Sequence, residues 1–312
     1  MKRNGKKKEV AQLLRQLPTR EKHSNKSHGG RVWLIAGSSK FPGAAILAAM
    51  AASRVGAGYV GLSILDGSKV RSAVRPAVRP AVRPAVRLFD APDVLPLPPS
   101  NSVLLDFRPS AVAVGPGMGR TDTAQKRARK ILLGLRNETS IPVVVDADAL
   151  LTIRRSSLPA HWILTPHSGE LAKMLNWPVS EVDADRVRAV LTAQKQYGCI
   201  VVLKGHHTLI AAPCFDSKKN VAKIKLFRNT SGNPALAKAG TGDVLTGMIA
   251  GFLAQKVEPL IAARLAVWIH GYLADYWIKS GRDQLSLMAS DLVSLLPTIL
   301  AKFRPHRSKK RH

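Results

Sequence analysis

The sequence is poor in acids and nearly free of cysteine. Lys and Arg number 48 against 20 Asp and Glu, and the 312 residues include two cysteines, Cys199 and Cys214. With no CxxC or Cys/His spacing around them, a disulfide scaffold and a zinc module are both excluded. The two thiols are expected in a reducing compartment, the cytoplasm being the simplest placement. No apolar run reaches the roughly 18 residues of a membrane span. The start, MKRNGKKKEVAQLLRQLPTR, is basic but has no apolar stretch of a secretory signal. Glu9 and Glu21 argue against an organelle transit peptide as well. Three chemical signatures are also missing: a Walker A lysine loop, a serine nucleophile elbow, and the full glycine spacing of a dinucleotide-binding turn.

Hydrophobic residues make up 46% of the chain, enough for a sizeable core. The net charge of +28 gathers in MKRNGKKK, in an arginine repeat and in the end, KFRPHRSKKRH. Solvated basic ends account for it, and polyanion binding is the alternative. Residues 1–26 are expected to form a basic flexible leader with at most a short helical turn around VAQLLRQL. An ordered domain is expected over 27–303 and a basic tail over 304–312. Within the domain, AVRPAVRPAVRPAVR (residues 73–87) repeats a four-residue unit. Proline at every fourth place opposes both helix and sheet ladders, so an extended polyproline-like surface loop is expected.

The rest alternates apolar runs with helical patterns. RVWLIAGS, AVAVGPGMG, PVVVDADAL, HWILTPHSGE and CIVVLKGHHT each read as a strand running into a turn. AAILAAMAAS, TAQKRARKILLGL and IAARLAVWIHGYLADYWIK read as helices. Continuous Val/Ile runs between helices imply a mostly parallel sheet covered on both faces. Sites in such sheets lie at the C-terminal strand ends, where the chemically loaded residues fall.

GTGD, Gly240–Asp243, opens a helical pattern. Bare amides at a helix N-terminus bind anions, and an aspartate there serves best as a base on a hydroxyl that attacks a phosphate. The plain alternative is an N-cap. In KGHHT, Lys204 and the turn through Gly205, His206, His207 and Thr208 offer a charge and amides to a nucleotide phosphate; a simple hairpin turn is the alternative. In TPHSGE, His167 can donate to a substrate and Glu170 can reach hydrated magnesium, unless the two merely cap a helix. Asp146, in DAD, can orient metal-bound water or bond loop amides.

Taken in order, GSSKFPGAAILAA, GPGMG, VVVDADAL, ILTPHSGE, VVLKGHHT and NPALAKAGTGDVLTGMIAGFLAQ resemble the ADP- or ATP-dependent NAD(P)H-hydrate dehydratases. The resemblance covers roughly residues 27–297 and implies a ribokinase-like α/β fold with a mostly parallel central sheet and helices on both faces. It implies a lyase that repairs the S form of hydrated NADH or NADPH, phosphorylating the ring hydroxyl so that phosphate can leave. ADP (or ATP) would be the donor, with magnesium. By motif, Asp243 would be the catalytic base and touch the substrate. Ala44, Gly117 and His167 would contact the hydrated cofactor. Lys204, Gly205, His206, His207, Thr208 and Gly242 would line the nucleotide. A homotetramer, a separate epimerase, and no nucleic-acid or membrane partner are further expectations. The sequence departs from the family pattern at SHGGRVW, at Ala239 before Gly240, at Pro234, and in the arginine repeat, which replaces an ordinary helical segment. The rival readings are a kinase of this fold acting on a vitamin-precursor alcohol, and a polyanion-binding protein.

Overall fold

A computed structural model describes residues 2–20, 23–67, 69–71, 85–87, 93–137, 140–153, 157–216 and 221–304. Helix α1 (Lys2–Leu14) precedes strand β1 (Arg31–Ile35). Helix α2 (Pro42–Val55) and strand β2 (Tyr59–Ser63) complete a β-α-β unit with β1. Two three-residue strands, β3 (Lys69–Arg71) and β4 (Ala85–Arg87), pair with each other. Then come β5 (Val94–Pro96), α3 (Val103–Asp106), β6 (Ala111–Val114), α4 (Asp122–Asn137) and β7 (Val143–Val145). Strand β8 (Ile163–Leu164) leads into α5 (Ser168–Leu175), α6 (Val179–Ala184) and α7 (Arg186–Tyr197). Strands β9 (Ile200–Leu203), β10 (Leu209–Asp216) and β11 (Val221–Arg228) follow, and then helices α8 (Thr241–Ala254), α9 (Pro259–Lys279) and α10 (Ala289–Phe303).

The main sheet has the order β11-β10-β9-β8-β7-β6-β1-β2-β5. Every pairing from β9 to β5 is parallel, and β10 and β11 extend the edge as an antiparallel hairpin. Strands β6, β7 and β9 are buried at every position, which is why they read as unbroken apolar runs. One core lies under α2, α8, α9 and α10, the other under α4, α5 and α7. Helices therefore cover both faces, as the alternating pattern predicts. Helix α8 lies directly on the alanine-rich α2. A methyl added at Gly247 would strike the Ala48 carbonyl, so this crossing demands glycine. That contact fixes where α8 begins, and with it the site.

Two expectations change. The leader is not simply flexible: residues 2–14 are helical, Leu13 and Leu17 are buried, and Glu9 pairs with Arg264 of α9. Val10, Leu13, Leu14 and Leu17 fall at i, i+3, i+4 and i+7, an apolar stripe that the surrounding lysines hide. The last copy of the arginine repeat is not polyproline-like. Residues 85–87 pair in parallel with β3, because no proline follows Arg87 and the N–H groups of Ala85–Arg87 remain available to a ladder. Residues 73–84 of that segment and 305–312 of the basic tail lie outside the described residues. Among the described residues, no helix is long and apolar enough to cross a membrane.

Candidate active site

Three strand ends and one helix start converge. Strand β7 runs straight into Asp146, β8 into Thr165–His167 and β9 into Lys204. The Lys204 N–H donates to the Pro166 carbonyl at 2.8 Å, which ties the two neighbouring loops together. Lys204 Nζ donates to Asp146 Oδ1 at 2.7 Å and lies 3.8 Å from Glu170 Oε2. Asp146 is only 1% exposed, and its second oxygen accepts the Thr246 hydroxyl at 2.8 Å. Burial pulls the lysine towards neutrality, but the charges of Asp146, Glu170 and Asp243 outweigh it and hold its pKa above the ordinary value.

Helix α8 is capped by Gly240 with φ at 87°, and no side chain caps it. Asp243 lies three residues further on, in the first turn, so the N-cap alternative does not hold. Burial raises its carboxyl pKa to about 7, and the charge of Asp146 pushes the same way; Lys204 opposes, and Glu170 and Asp148 add a further rise. A carboxylate balanced near neutral pH can both take and return a proton.

Two cavities are lined by neighbouring residues of this helix start. One, of about 380 Å³, is lined by Lys204, Gly205, His206, His207, Thr208 and Gly242, with His270 also on its wall. The other, of about 680 Å³, is lined by Ala44, Gly117 and Asp243, together with Lys40, Arg120 and Asp148. The residues expected at the nucleotide thus share one cavity. Those expected at the hydrated cofactor share the other, with the exception of His167, which lines neither. His167 instead caps α5: its Nδ1 accepts the N–H groups of Gly169 and Glu170, and Glu170 Oε2 accepts the His167 N–H at 2.8 Å. TPHSGE is therefore a capping box, the alternative the sequence left open.

The magnesium role expected of Glu170 and Asp146 is one through bound water; their present hydrogen bonds bear on direct ligation alone. Each Asp146 oxygen accepts a hydrogen bond, one from Lys204 and one from Thr246, and Glu170 Oε2 accepts the cap N–H. Among the described residues, no group of three or more His, Cys, Asp or Glu could hold a metal ion.

Several supporting residues were not singled out from the sequence. Arg186 braces the KGHHT turn, donating to the Leu203 and Lys204 carbonyls and to Ser168 Oγ. His270, in the α9 run WIHGY, is buried, and burial lowers its pKa to about 4. The neutral ring donates from Nε2 to the Thr241 carbonyl at 2.9 Å and so steadies the start of α8. Asp275 accepts the Gly232 N–H and the Asn233 side-chain amide, holding the SGN loop against the first cavity. Asp148 accepts the Gly119 N–H and Arg120 Nε at the second. A polar residue inside an apolar run, AVWIHG for His270 and VLTGMIAG for Thr246, was the available signal for these two; Asp148 belongs to the DAD motif, and nothing local marked Arg186 or Asp275.

A parallel sheet with an antiparallel edge, carrying two cavities divided by a glycine-led helix start, defines a ribokinase-like α/β protein. Residues 32–297 match the family model described as NAD(P)H-hydrate dehydratase, and the chain belongs to that family. It is 33% identical to the ADP-dependent (S)-NAD(P)H-hydrate dehydratase of Bacillus subtilis, over 92% of this chain and 95% of that one. It is 35% identical to the bifunctional NAD(P)H-hydrate repair enzyme Nnr of Vibrio cholerae, over 91% of this chain; it spans about half, 52%, of that longer relative. Among solved structures, the B. subtilis ADP/ATP-dependent NAD(P)H-hydrate dehydratase, co-crystallised with ATP and Mg2+, superposes with a TM-score of 0.74 at 29% identity. That match covers 94% of this chain and 96% of the other.

Proposed function

We propose that this chain dehydrates the S form of hydrated NADH or NADPH, with ADP as phosphoryl donor, and so restores the reduced cofactor. One observation carries the reading: the consecutive residues Gly242 and Asp243 open onto different cavities. A donor held beside Lys204–Thr208 and Gly242 meets an acceptor held beside Ala44, Gly117 and Asp243 only at the start of α8. The names of the relatives supply the two molecules.

The Asp243 carboxylate takes the proton of the ring hydroxyl as that oxygen attacks the terminal phosphorus of the donor. The bond from this phosphorus to the bridging oxygen breaks, leaving AMP. The α8 amides and Lys204 offset the negative charge of the group in transit. Phosphate is a far better leaving group than hydroxide. It departs with its bonding electrons as a proton leaves the neighbouring ring carbon, and the double bond is restored. Magnesium would neutralise part of the charge of the nucleotide phosphates, and Glu170 would meet it only through bound water. The reading includes a cytoplasmic, homotetrameric enzyme supplied with the S form by a separate epimerase; light scattering of purified protein tests the assembly.

The deciding assay incubates purified protein with hydrated NADH and either ADP or ATP. It follows recovery of the dihydronicotinamide absorbance together with AMP or ADP release. Recovery should require a donor and be faster with ADP. No recovery, alongside phosphorylation of a hydroxymethylpyrimidine or a thiazole alcohol, would replace this reading with the kinase one.

A further inference from the structure

Thr246 stands in the second turn of α8 and is fully buried, in the stretch 244–254 whose other residues are all apolar or glycine. A helical threonine commonly returns its hydroxyl to a carbonyl of the preceding turn. Here the hydroxyl goes to Asp146, 100 positions away in sequence, and the other oxygen of that carboxylate holds Lys204, 58 positions away. One carboxylate thus pins together the helix start, the end of β7 and the end of β9. Buried ion pairs add little stability over apolar groups of the same volume, so fold stability alone is a weak reason for this one. Its location is more informative. A methyl built on Gly242 would lie 3.4 Å from Lys204 Nζ, so the ammonium stands in the first cavity against the helix start, one residue from Asp243 of the second. Lysine is a point charge on a flexible four-carbon stem, and left to itself it would sample many positions there.

We propose that Thr246 and Asp146 are positioning residues that clamp the Lys204 ammonium at the helix start where the phosphoryl group crosses, and that Asp146 serves this lysine rather than a metal ion. The proposal rests on the phosphoryl-transfer reading above. With one N–H held by Asp146, the ammonium keeps two donors. Atoms occupying the space above Gly242 come within their reach. Of the two carboxylates beside the ammonium, the bonded one sets its position and Glu170, at 3.8 Å, contributes charge.

The test uses the full chain and the variants Thr246→Val, Thr246→Ser and Asp146→Asn. ADP alone is the binding probe, by calorimetry. Valine keeps the shape and burial of threonine and removes only the hydroxyl. We expect Thr246→Val to keep the wild-type unfolding midpoint to within a few degrees, lower kcat by roughly tenfold or more, and leave KM for the hydrated cofactor within about twofold. Serine should restore most of the loss, which a purely structural role of the methyl group would not allow. Asp146→Asn should lose more, with the magnesium concentration for half-maximal rate unchanged. Wild-type kcat and ADP affinity in Thr246→Val would overturn the clamp. Rescue of Asp146→Asn by added magnesium would overturn the assignment of Asp146 to the lysine. If Thr246→Val does not fold, Asp146→Asn against Thr246→Ser carries the comparison. If the wild type itself restores no cofactor, the functional reading fails while ADP affinity still decides the clamp: a loss of roughly tenfold in Thr246→Val supports it, and equal affinity ends it.

Discussion

Replacing Asp243 with asparagine should make the protein more stable and nearly inactive. The carboxyl pKa stands at about 7 against an ordinary 3.8, raised chiefly by burial. A rise of about three units, at ~1.4 kcal/mol each, means that ionising this group opposes the fold by up to ~4 kcal/mol once pH exceeds 7. Asparagine removes the charge but keeps a buried polar group, so a net gain of about 1–3 kcal/mol is expected. The sign follows from linkage. The native state holds this proton more tightly than the unfolded chain, so its contribution is complete below the unfolded value. It fades as pH rises through the folded value. Variant and wild type should therefore have similar stability near pH 4 and diverge to a plateau above about pH 7. Denaturant midpoints measured across that range give the curve. In parallel, kcat should fall by roughly 10²–10⁴, the usual worth of a positioned base, and wild-type kcat/KM should show an acid limb near the same pH. A pH-independent stability difference would refute the electrostatic argument, and retained turnover would refute the catalytic assignment.

Gly242→Ala should fold at least as well as the wild type, because alanine favours a helix by about 1 kcal/mol and the new methyl meets only Lys204 Nζ. It should still weaken ADP binding by roughly tenfold in calorimetry, by narrowing the first cavity. Gly117 has φ at 58°, and a methyl there would lie 2.6 Å from Ala44 Cβ. Gly117→Ala should cost about 1–3 kcal/mol in denaturant unfolding and raise KM for the hydrated cofactor, leaving ADP affinity intact. His270→Gln removes a pH slope opposite in sign to that of Asp243. The depressed pKa, about 4, makes the wild type lose stability as pH falls from 6.5 towards 4, and the variant should lose less over that window.

Much of this frame is legible in the residues. Strands buried on both faces must be apolar at every position, so VVV and IVVL announced a parallel sheet without reference to their partners. Acids, lysine and histidine placed just after such strands had to meet at one end of it. What stayed hidden depended on partners distant in sequence. The stripe Val10, Leu13, Leu14 and Leu17 is a good helical face, but its lysine-rich surroundings match those of a solvated tail, and only α9 decides between them. Asp146 and Glu170 illustrate the same limit in the site. A buried carboxylate needs a cation, and from sequence a metal ion and an ammonium satisfy that need equally. The geometry supplies Lys204 to Asp146 and a helix cap to Glu170. Thr246 and His270 sit in runs whose periodicity describes packing alone, so their hydroxyl and ring nitrogen acquired a purpose only when α8 and α9 were placed.

The division of the site follows from helix geometry. Successive residues of an α-helix point about 100° apart, so two neighbours can face different cavities. At the first turn of α8 this separates Gly242, which opens to the Lys204–Thr208 turn, from Asp243, which opens towards Ala44 and Gly117. Between them the N–H groups of the turn all point out along the axis at the helix start. On the proposed reading, a donor phosphate approaches over the residue that lacks a side chain, and an acceptor hydroxyl beside the one that carries a base. On that reading the order Gly-Asp at a helix start places the donor in one cavity and the acceptor in the other. Lys204 reaches the same helix start from β9 and brings a positive charge, bonded to Asp146, against Gly242.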